Sequence, residues 1–258
     1  MWHKFMPIYR RELKSYFTSP TGYIAAAMFL FLSGLFFYGI MENFSELSGN
    51  AEYRKQVGLD HVNFTQHAVK QLYWSINFLL LFIVPIFTMR LIAEEKKSGT
   101  FELLTSLPFT DWNIVIAKYL AAYTLVAGML LITVYYIPVM ARFGQPDMSV
   151  VWVAFLGTLF VAAAYVAVGL FASSLTENQI TAAIFAFVAL LGLFLIGDVT
   201  TPAGQGIGRT LERLSMRWHS EQFTQGVLRL EDAAYFAIIV IIFLFLTCRC
   251  LELRRWRV

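Results

Sequence analysis

The hydrophobic residues of this chain fall into six long runs separated by polar segments. The runs that contain no charged residue span 15–41, 71–89, 119–141, 148–176, 178–197 and 233–248. About 20 mostly apolar residues are needed to cross the hydrocarbon core of a bilayer as a helix. A segment surrounded by lipid must satisfy its own backbone hydrogen bonds, which favours helices. We therefore predict an all-α membrane protein, a single domain over 1–258 with six transmembrane helices, kinked at Pro85 and Pro138.

The composition and the charge distribution agree with this topology. The chain is 58% hydrophobic and 14% charged, against about 25% charged residues in soluble domains. Twelve of its 20 Lys and Arg residues fall on the side that holds both termini, which gives net charges of +5 there and −2 opposite. Because basic residues are enriched on the cytoplasmic side, we expect a multi-pass protein of the cell (inner) membrane with both termini cytoplasmic. Membrane orientation accounts for the basic residues, so we expect no nucleic acid partner. The first apolar run is long enough to span the membrane and lacks a convincing cleavage site, so we expect no cleavable signal peptide.

Residues 2–17 have the pattern of an amphipathic helix. The basic residues of this stretch project to one side at 100° per residue, and the large apolar residues project to the other. We predict an interfacial helix within 1–20 that lies on membrane lipid, followed by Ser19 as helix cap and Pro20 as first helical residue. The apolar side consists of Trp2, Phe5, Met6, Ile8, Tyr9, Leu13, Tyr16 and Phe17.

Glu12 departs from this pattern because it projects onto the apolar side of the helix. One interpretation is that its side chain turns out to the lipid headgroups. The other is that it pairs with a cytoplasmic cation, Arg90 or Lys118, and ties the N-terminal helix to the cytoplasmic segment that follows the second run.

Two external segments carry recognisable patterns. The loop at 42–74 contains His61 and His67, but no third ligand is indicated, so we predict no metal site. In the segment 198–232, one apolar stripe and a shorter apolar group predict two amphipathic helices before the last span. The stripe is Ile207, Leu211, Leu214 and Trp218, and the shorter group is Phe223, Val227 and Leu230.

The segment 90–112 is the one dense charge cluster between two long apolar runs. Glu94 to Ser98 are good helix formers and favour continuation of the second transmembrane helix into the cytoplasm. Gly99 suits the left-handed residue that ends a helix, and Thr100 suits the cap of a new one. The new helix has an apolar face of Phe101, Leu103, Leu104 and Leu107 and stops at Pro108. The pattern alone is equally typical of a cytoplasmic loop that lies on lipid headgroups.

The string RLIAEEKKSGTFELLTSLPF at 90–109 resembles the signature of type 2 ABC transporter permeases. That signature is a pair of acids, a basic residue, Gly-Thr, Glu-x-Leu-Leu and a proline a few residues later. Strings at 10–24, 171–187 and 219–236 resemble the same family, most closely its gliding-motility and nitrous-oxide-reductase maturation subgroup. The matching positions in the signature are Glu94, Glu95, Lys97, Gly99, Thr100, Glu102, Leu103 or Leu104, and Pro108.

The resemblance implies a permease subunit of an exporter, paired with a second permease copy, identical or paralogous. A separate ATPase subunit binds ATP and magnesium, and this chain contributes the coupling helix that contacts it. The resemblance assigns polar contacts to Glu94, Glu95 and Lys97, and groove contacts to Phe101, Leu103 and Leu104. We also expect an N-terminal coupling role for Arg11 and Glu12, because Glu12 can pair with a cytoplasmic cation. An alternative is a membrane anchor or assembly factor through which an ATPase acts on an associated complex. The substrate is not indicated.

The chain carries no sign of catalytic chemistry of its own. The string GQGIGRT at 204–210 lacks the Lys-Ser/Thr ending of a phosphate-binding loop. Glu94 and Glu95 lack the basic residue expected at position 99 in paired-glutamate proteases. No span contains a charge that could relay protons. For Cys248 and Cys250 we expect a helix-end position, with a metal pair or lipidation as alternatives. We predict no catalytic residue, cofactor or metal in this chain.

Overall fold

The computed structural model describes residues 2–49, 63–100, 110–197 and 211–255, with side chains from residue 5 to residue 253. The described residues are helical, with short turns between helices, as the sequence predicts. The helices are α1 (Trp2–Thr18), α2 (Pro20–Gly49), a π-helical turn (Thr65–Val69) leading into α3 (Lys70–Thr88), α4 (Ala93–Lys97), α5 (Asp111–Thr133), α6 (Tyr136–Phe143), α7 (Met148–Leu175), α8 (Gln179–Leu195), α9 (Met216–Thr224) and α10 (Leu230–Arg255).

Within the described residues, five helical stretches are long and apolar enough to cross a membrane. Each of the six predicted runs forms an apolar helix, but α8 has only 17 residues. At 1.5 Å per residue it is roughly 25 Å long, slightly less than the ~30 Å hydrocarbon core. The five longer stretches are Pro20–Gly49, Thr65–Lys97, Asp111–Phe143, Met148–Leu175 and Leu230–Leu253.

Helix α7 lies at the centre of the bundle and packs against α3, α5, α8, α9 and α10. Glycines on α7 allow two of these neighbours to approach closely. A Cβ added at Gly157 would lie 2.2 Å from Cβ of Phe223, and one added at Gly169 would lie 2.2 Å from Oγ1 of Thr88. Small residues at such crossings let membrane helices come into close contact, so α7 is the element that positions both ends of the bundle.

The second transmembrane helix does not continue unbroken into residues 93–98, contrary to the sequence prediction. α3 ends at Thr88, residues 89–92 form a turn, and α4 begins at Ala93. The third run is interrupted at Val134 and Tyr135, four and three residues before Pro138. A proline clashes with the carbonyl four residues earlier, which explains the predicted interruption. Pro85 lies inside α3, which extends three residues beyond it.

The segment before the last span differs from the two predicted helices. Ser215 is extended and separates residues 211–214 from α9, so the predicted stripe is broken in two. Phe223 is buried in α9, whereas Leu230 begins α10 and is exposed. Between them Gly226 adopts a φ of +79°, a conformation that favours glycine and turns the chain. Ile207 lies outside the described residues.

Candidate coupling site

An ion cluster joins three elements at the end of the bundle that holds α1 and α4. Nζ of Lys118, on α5, lies 3.1 Å from Oε1 of Glu12 on α1 and 3.0 Å from Oε1 of Glu95 on α4. Nη2 of Arg11 contacts both carboxylates, at 2.9 Å from Glu12 and 2.6 Å from Glu95. We call these four residues the ion cluster. Two cations and two carboxylates alternate in it, so the charges balance.

Lys118 is the buried centre of the ion cluster. Its side chain is 1% exposed, and its Nζ also donates a hydrogen bond of 2.7 Å to the carbonyl of Leu91 in the turn after α3. A buried ammonium group is costly unless it is paired and hydrogen-bonded. Lys118 meets both conditions, and it thereby fixes α1 and the 89–97 segment to α5.

From the sequence, Arg90 and Lys118 were both possible partners of Glu12, and the structure shows the contact with Lys118. Glu12 pairs with Lys118, whereas the guanidinium of Arg90 donates to the hydroxyls of Ser19 and Thr21. Apolar packing supports the Glu12 contact, because Ile8 of α1 lies in a small cluster with two residues of α5. Part of the apolar side of α1 therefore packs against α5.

Tyr16 and Arg90 hold α1 and α2 against the end of α3. The Tyr16 hydroxyl donates to the carbonyl of Phe87 at 3.0 Å, and the Arg90 guanidinium lies 5.9 Å from the centre of the Tyr16 ring. Burial of the phenol, followed by the nearby Glu12 carboxylate, raises the pKa of Tyr16. The phenol therefore stays protonated and remains a donor.

Ser173, near the end of α7, replaces the missing helical hydrogen bonds of the turn at 89–92. Its Oγ accepts from the backbone N–H groups of Ile92 and Ala93, each at 3.1 Å, and donates to the carbonyl of Met89 at 2.9 Å. Nζ of Lys96 donates to the carbonyl of Ser174. The segment 89–97 is thus held by α7 as well as by α5.

Gly99 provides the predicted break after α4. Its φ is +70°, which is the left-handed conformation that glycine adopts at little cost. An added Cβ would meet no atom within 4 Å. The requirement for glycine at this position therefore comes from backbone conformation and not from lack of space.

The predicted contact residues divide into an exposed and an internal group. Glu94, Lys97, Gly99 and Thr100 are exposed, whereas the Glu95 side chain is 14% exposed and belongs to the ion cluster. The structure thus directs Glu95 inward, because Lys118 and Arg11 attract it. The remaining predicted contacts lie outside the described residues: Phe101, Glu102, Leu103, Leu104 and Pro108.

Several site residues were missed in the sequence. Ser173, Lys96 and Tyr16 are buried at the junction of the helices, but nothing in their sequence spacing indicates contact with residues 71 to 84 positions away. Lys118 carried a usable signal, because it is a basic residue directly before an apolar run. Ionisable residues in such positions are rare and usually have a partner inside the bundle.

A cavity of about 350 Å³ lies beside the ion cluster and is lined by Arg11, Ser15, Arg90, Glu94 and Thr100, among others. Glu95 also lines it, and Oε2 of that residue is buried without a hydrogen-bond partner in the described part of the chain. The carboxylate therefore retains capacity to accept one more donor. Groups of three or more His, Cys, Asp or Glu residues suited to a metal ion do not occur in the described ranges.

The two cysteines lie near the end of α10, and both are free. Cys248 is buried, and its Sγ lies 3.8 Å from a carboxylate oxygen of Glu252. Sγ of Cys250 lies 3.4 Å from the carbonyl of Ser174, the same carbonyl that accepts from Lys96. Cys250 thus adds a contact between α10 and the C-terminal end of α7.

The charge of Glu12 is expected to stabilise the fold at neutral pH. Burial favours the protonated acid, but Lys118 and Arg11 outweigh burial and lower the pKa of Glu12 below its ordinary value of 4.5. A carboxyl with a lowered pKa stabilises the folded state above its unfolded pKa and loses this effect as pH falls through the folded value. The difference in melting temperature between wild type and Glu12→Gln should stay constant from pH 7 to pH 5 and shrink below about pH 4.5. Its disappearance already above pH 5 would contradict the pairing.

Comparison with known proteins identifies the family. Residues 6–247 match the model of the ABC-2 family transporter proteins, which covers nearly the whole chain, including most of α1, the ion cluster, α9 and most of α10. No individual curated protein matches the chain at a significant level. The family supplies membrane components of ABC transporters, which agrees with the apolar helices of this fold. The chain therefore belongs to the ABC-2 transporter family and is a multi-pass membrane protein of the permease type.

Proposed function

We propose that this chain is the permease subunit of an ATP-binding cassette exporter in the inner membrane. A separate ATPase subunit binds ATP and magnesium and hydrolyses the nucleotide. The membrane helices convert the resulting motion into outward movement of a substrate that is not yet identified. The observation that carries this proposal is the ion cluster, because it connects the cytoplasmic segment rigidly to α1 and α5.

The elements joined by the cluster form a relay unit, which we define as α1, residues 89–100 and α5. Lys118 contacts a carboxylate on each of the other two elements, and Ser173 attaches the unit to the central helix α7. A force on residues 94–100 would therefore displace α5 and α7 together with α1. Tightly packed elements of this kind move as bodies and do not deform gradually.

The exposed edge of the relay unit is the surface on which we place the ATPase. Glu94 and Lys97 are exposed and offer one charge of each sign. Thr100 leads into residues 101–109, where we propose that Phe101, Leu103 and Leu104 occupy a groove on the ATPase. Glu95 serves inside the relay unit, where it holds Lys118.

We further propose six spans, with α8 as the fifth, and both termini in the cytoplasm. The excess of Lys and Arg on the side of the termini supports this orientation. A second permease copy, identical or paralogous, completes the transporter. The substrate would pass between the two copies, and α9 would lie near the outer end of that path.

The coupling requires unequal binding of the relay unit to the two states of the ATPase. A partner that bound the ATP-loaded and the empty states equally could not shift the permease between conformations. The contacts of residues 94–100 must therefore be made, or made more closely, in one nucleotide state.

Gly99→Val is expected to abolish permease-stimulated ATP hydrolysis while leaving membrane insertion intact. A β-branched residue is strained at a φ of +70°, so the chain direction into residues 101–109 would change. Gly99→Asn is the matched control, because asparagine tolerates the left-handed region, and it should retain most of the stimulation. Equal stimulation by the valine variant and the wild type would contradict the role of the break.

Transport in sealed vesicles tests the proposed function itself. Vesicles that contain this chain and its ATPase should show ATP-dependent movement of a substrate, and vesicles with Gly99→Val should not. Stimulated hydrolysis without movement of any compound from a substrate panel, together with ATP-dependent changes in an associated complex, would instead support the assembly-factor alternative.

A further inference from the structure

The cavity beside the ion cluster contains a hydrogen-bond acceptor that no described residue uses. Oε2 of Glu95 is buried and has no partner in the described part of the chain, and Glu95 is one of the residues that line the cavity. A buried carboxylate oxygen without a donor is costly. The unused oxygen therefore indicates that something outside this chain donates to it.

The size of the cavity indicates a ligand larger than one water molecule. Its volume is about 350 Å³, whereas a molecule of liquid water takes up about 30 Å³. Small-molecule sites have volumes of about 300–1,000 Å³. Arg11 and Glu94 also line the cavity, and more than half of each side chain is exposed, so a ligand can reach it from the solvent.

The cations on the cavity wall already have partners. Nζ of Lys118 contacts two carboxylates and the carbonyl of Leu91, which matches its three N–H groups. The guanidinium of Arg90 donates to three hydroxyl groups between residues 15 and 21, and its Nε lies 3.5 Å from Glu94. Arg11 contacts both carboxylates of the ion cluster. An anion would have to compete with these partners for donors.

The acceptors on the wall have capacity left. Oε1 of Glu95 receives both Lys118 and Arg11, at 3.0 Å and 2.6 Å, which leaves Oε2. The hydroxyl oxygens of Ser98 and Thr100 also line the cavity and lie 2.8 Å apart. Each hydroxyl has one hydrogen and two lone pairs, so the hydrogen bond between them leaves lone pairs unused. A ligand with several N–H donors and a positive charge matches this set best, because bonds to a carboxylate are strongest when the donor is charged.

We propose that this cavity is a binding site for a guanidinium or primary ammonium group. The cation donates to Oε2 of Glu95 and to the hydroxyls of Ser98 and Thr100, and it completes the hydrogen bonding of the ion cluster. Such a group can belong to an Arg or Lys side chain of the ATPase or to a free amine. The cation site does not depend on the proposed function, whereas the ATPase as the source of the cation rests on it.

Titration with methylguanidinium tests the site in the full-length protein without the ATPase. Saturation-transfer NMR of the probe should show saturable binding. Methylurea, which has a similar planar shape but no charge, should show none. Glu95→Gln should weaken methylguanidinium binding on the order of tenfold or more, because its amide can place an N–H donor where Oε2 accepts. The amide oxygen can still accept from Lys118.

A second variant tests the site without altering the ion cluster. Ser15 is exposed and lines the cavity from α1, so the large side chain of Ser15→Trp should fill it and abolish saturable binding. Lys14→Trp is the matched control, because Lys14 is exposed on the same helix and does not line the cavity. It should keep the wild-type affinity within about twofold.

Three results would overturn the proposal. They are the absence of saturable methylguanidinium binding to the wild type, equal affinities of the wild type and Ser15→Trp, and saturable binding of sulfate in place of methylguanidinium. The first and third need no variant to fold. In the third case the cavity would be an anion site.

Binding of the ATPase then identifies the source of the cation. A loss of ATPase affinity on the order of tenfold in Ser15→Trp but not in Lys14→Trp, with competition by methylguanidinium, would identify a basic side chain of the ATPase. ATPase affinity that is unchanged in Ser15→Trp, together with methylguanidinium binding to the wild type, would identify a free amine. Both results support the cation site, and the second leaves the proposed coupling intact.

Discussion

Lys118→Met is expected to destabilise the protein by about 3–5 kcal/mol and to uncouple ATP hydrolysis from the permease. Methionine keeps the length of the side chain but removes its charge and all its hydrogen bonds. Glu12 and Glu95 would then be left partly buried without their central cation, and removing one partner of a buried ion pair costs about this much. Arg11 would remain, but its side chain is 55% exposed and compensates less well.

Chemical denaturation in detergent measures this first effect, and ATP hydrolysis in the presence of the ATPase measures the second. For the denaturation measurement Lys97→Met is the matched control, because it removes an exposed lysine from the same end of the bundle and should change stability by less than about 0.5 kcal/mol. A Lys118→Met variant as stable as the Lys97→Met variant would show that the ion cluster does not hold the helices together.

Ser173→Ala is expected to have the second largest effect, a loss of about 2–4 kcal/mol. The alanine variant would leave the backbone N–H groups of Ile92 and Ala93 without their acceptor and the carbonyl of Met89 without its donor. Each buried backbone group left unpaired costs about 1–3 kcal/mol. The turn at 89–92 would then loosen, and permease-stimulated hydrolysis should fall with it.

The neighbouring serine provides the control for this prediction. Ser174 is also fully buried, but its hydroxyl donates to the carbonyl of Phe171 in its own helix. Ser174→Ala should therefore cost about 1 kcal/mol or less. Equal losses for the two alanine variants, in denaturation and in protease accessibility of residues 89–100, would show that Ser173 does not anchor the turn.

The sequence predicted the helices well because each depends on local or one-dimensional patterns. Long apolar runs predict membrane helices from length alone, and α1 follows from a simple alternation of apolar and basic faces. Gly99 was identifiable because few other residues tolerate its conformation. Pro20 marked the first residue of α2 for a similarly local reason.

The contacts that define the site join distant parts of the chain, and the sequence predicts only some of them. The partner of Glu12 was one of two alternatives, since nothing local separates Arg90 from Lys118. The end of α3 at Thr88 was missed because the hydroxyl of Ser173, 85 positions later, stabilises the turn in place of helical hydrogen bonds. The hydrogen bond between Nδ1 of His219 and Oδ1 of Asp232 was also missed, because it forms only after the turn at Gly226 brings α9 against the start of α10.

The proposed coupling depends on the relay unit moving as one body. The most direct test is a distance measurement between spin labels at positions 10 and 97, both exposed, in protein whose two cysteines are replaced by serine. In complex with the ATPase, the distance should be the same with and without ATP, and it should broaden in Lys118→Met. A wild-type distance that changes by several ångströms between the two nucleotide states would contradict a rigid relay.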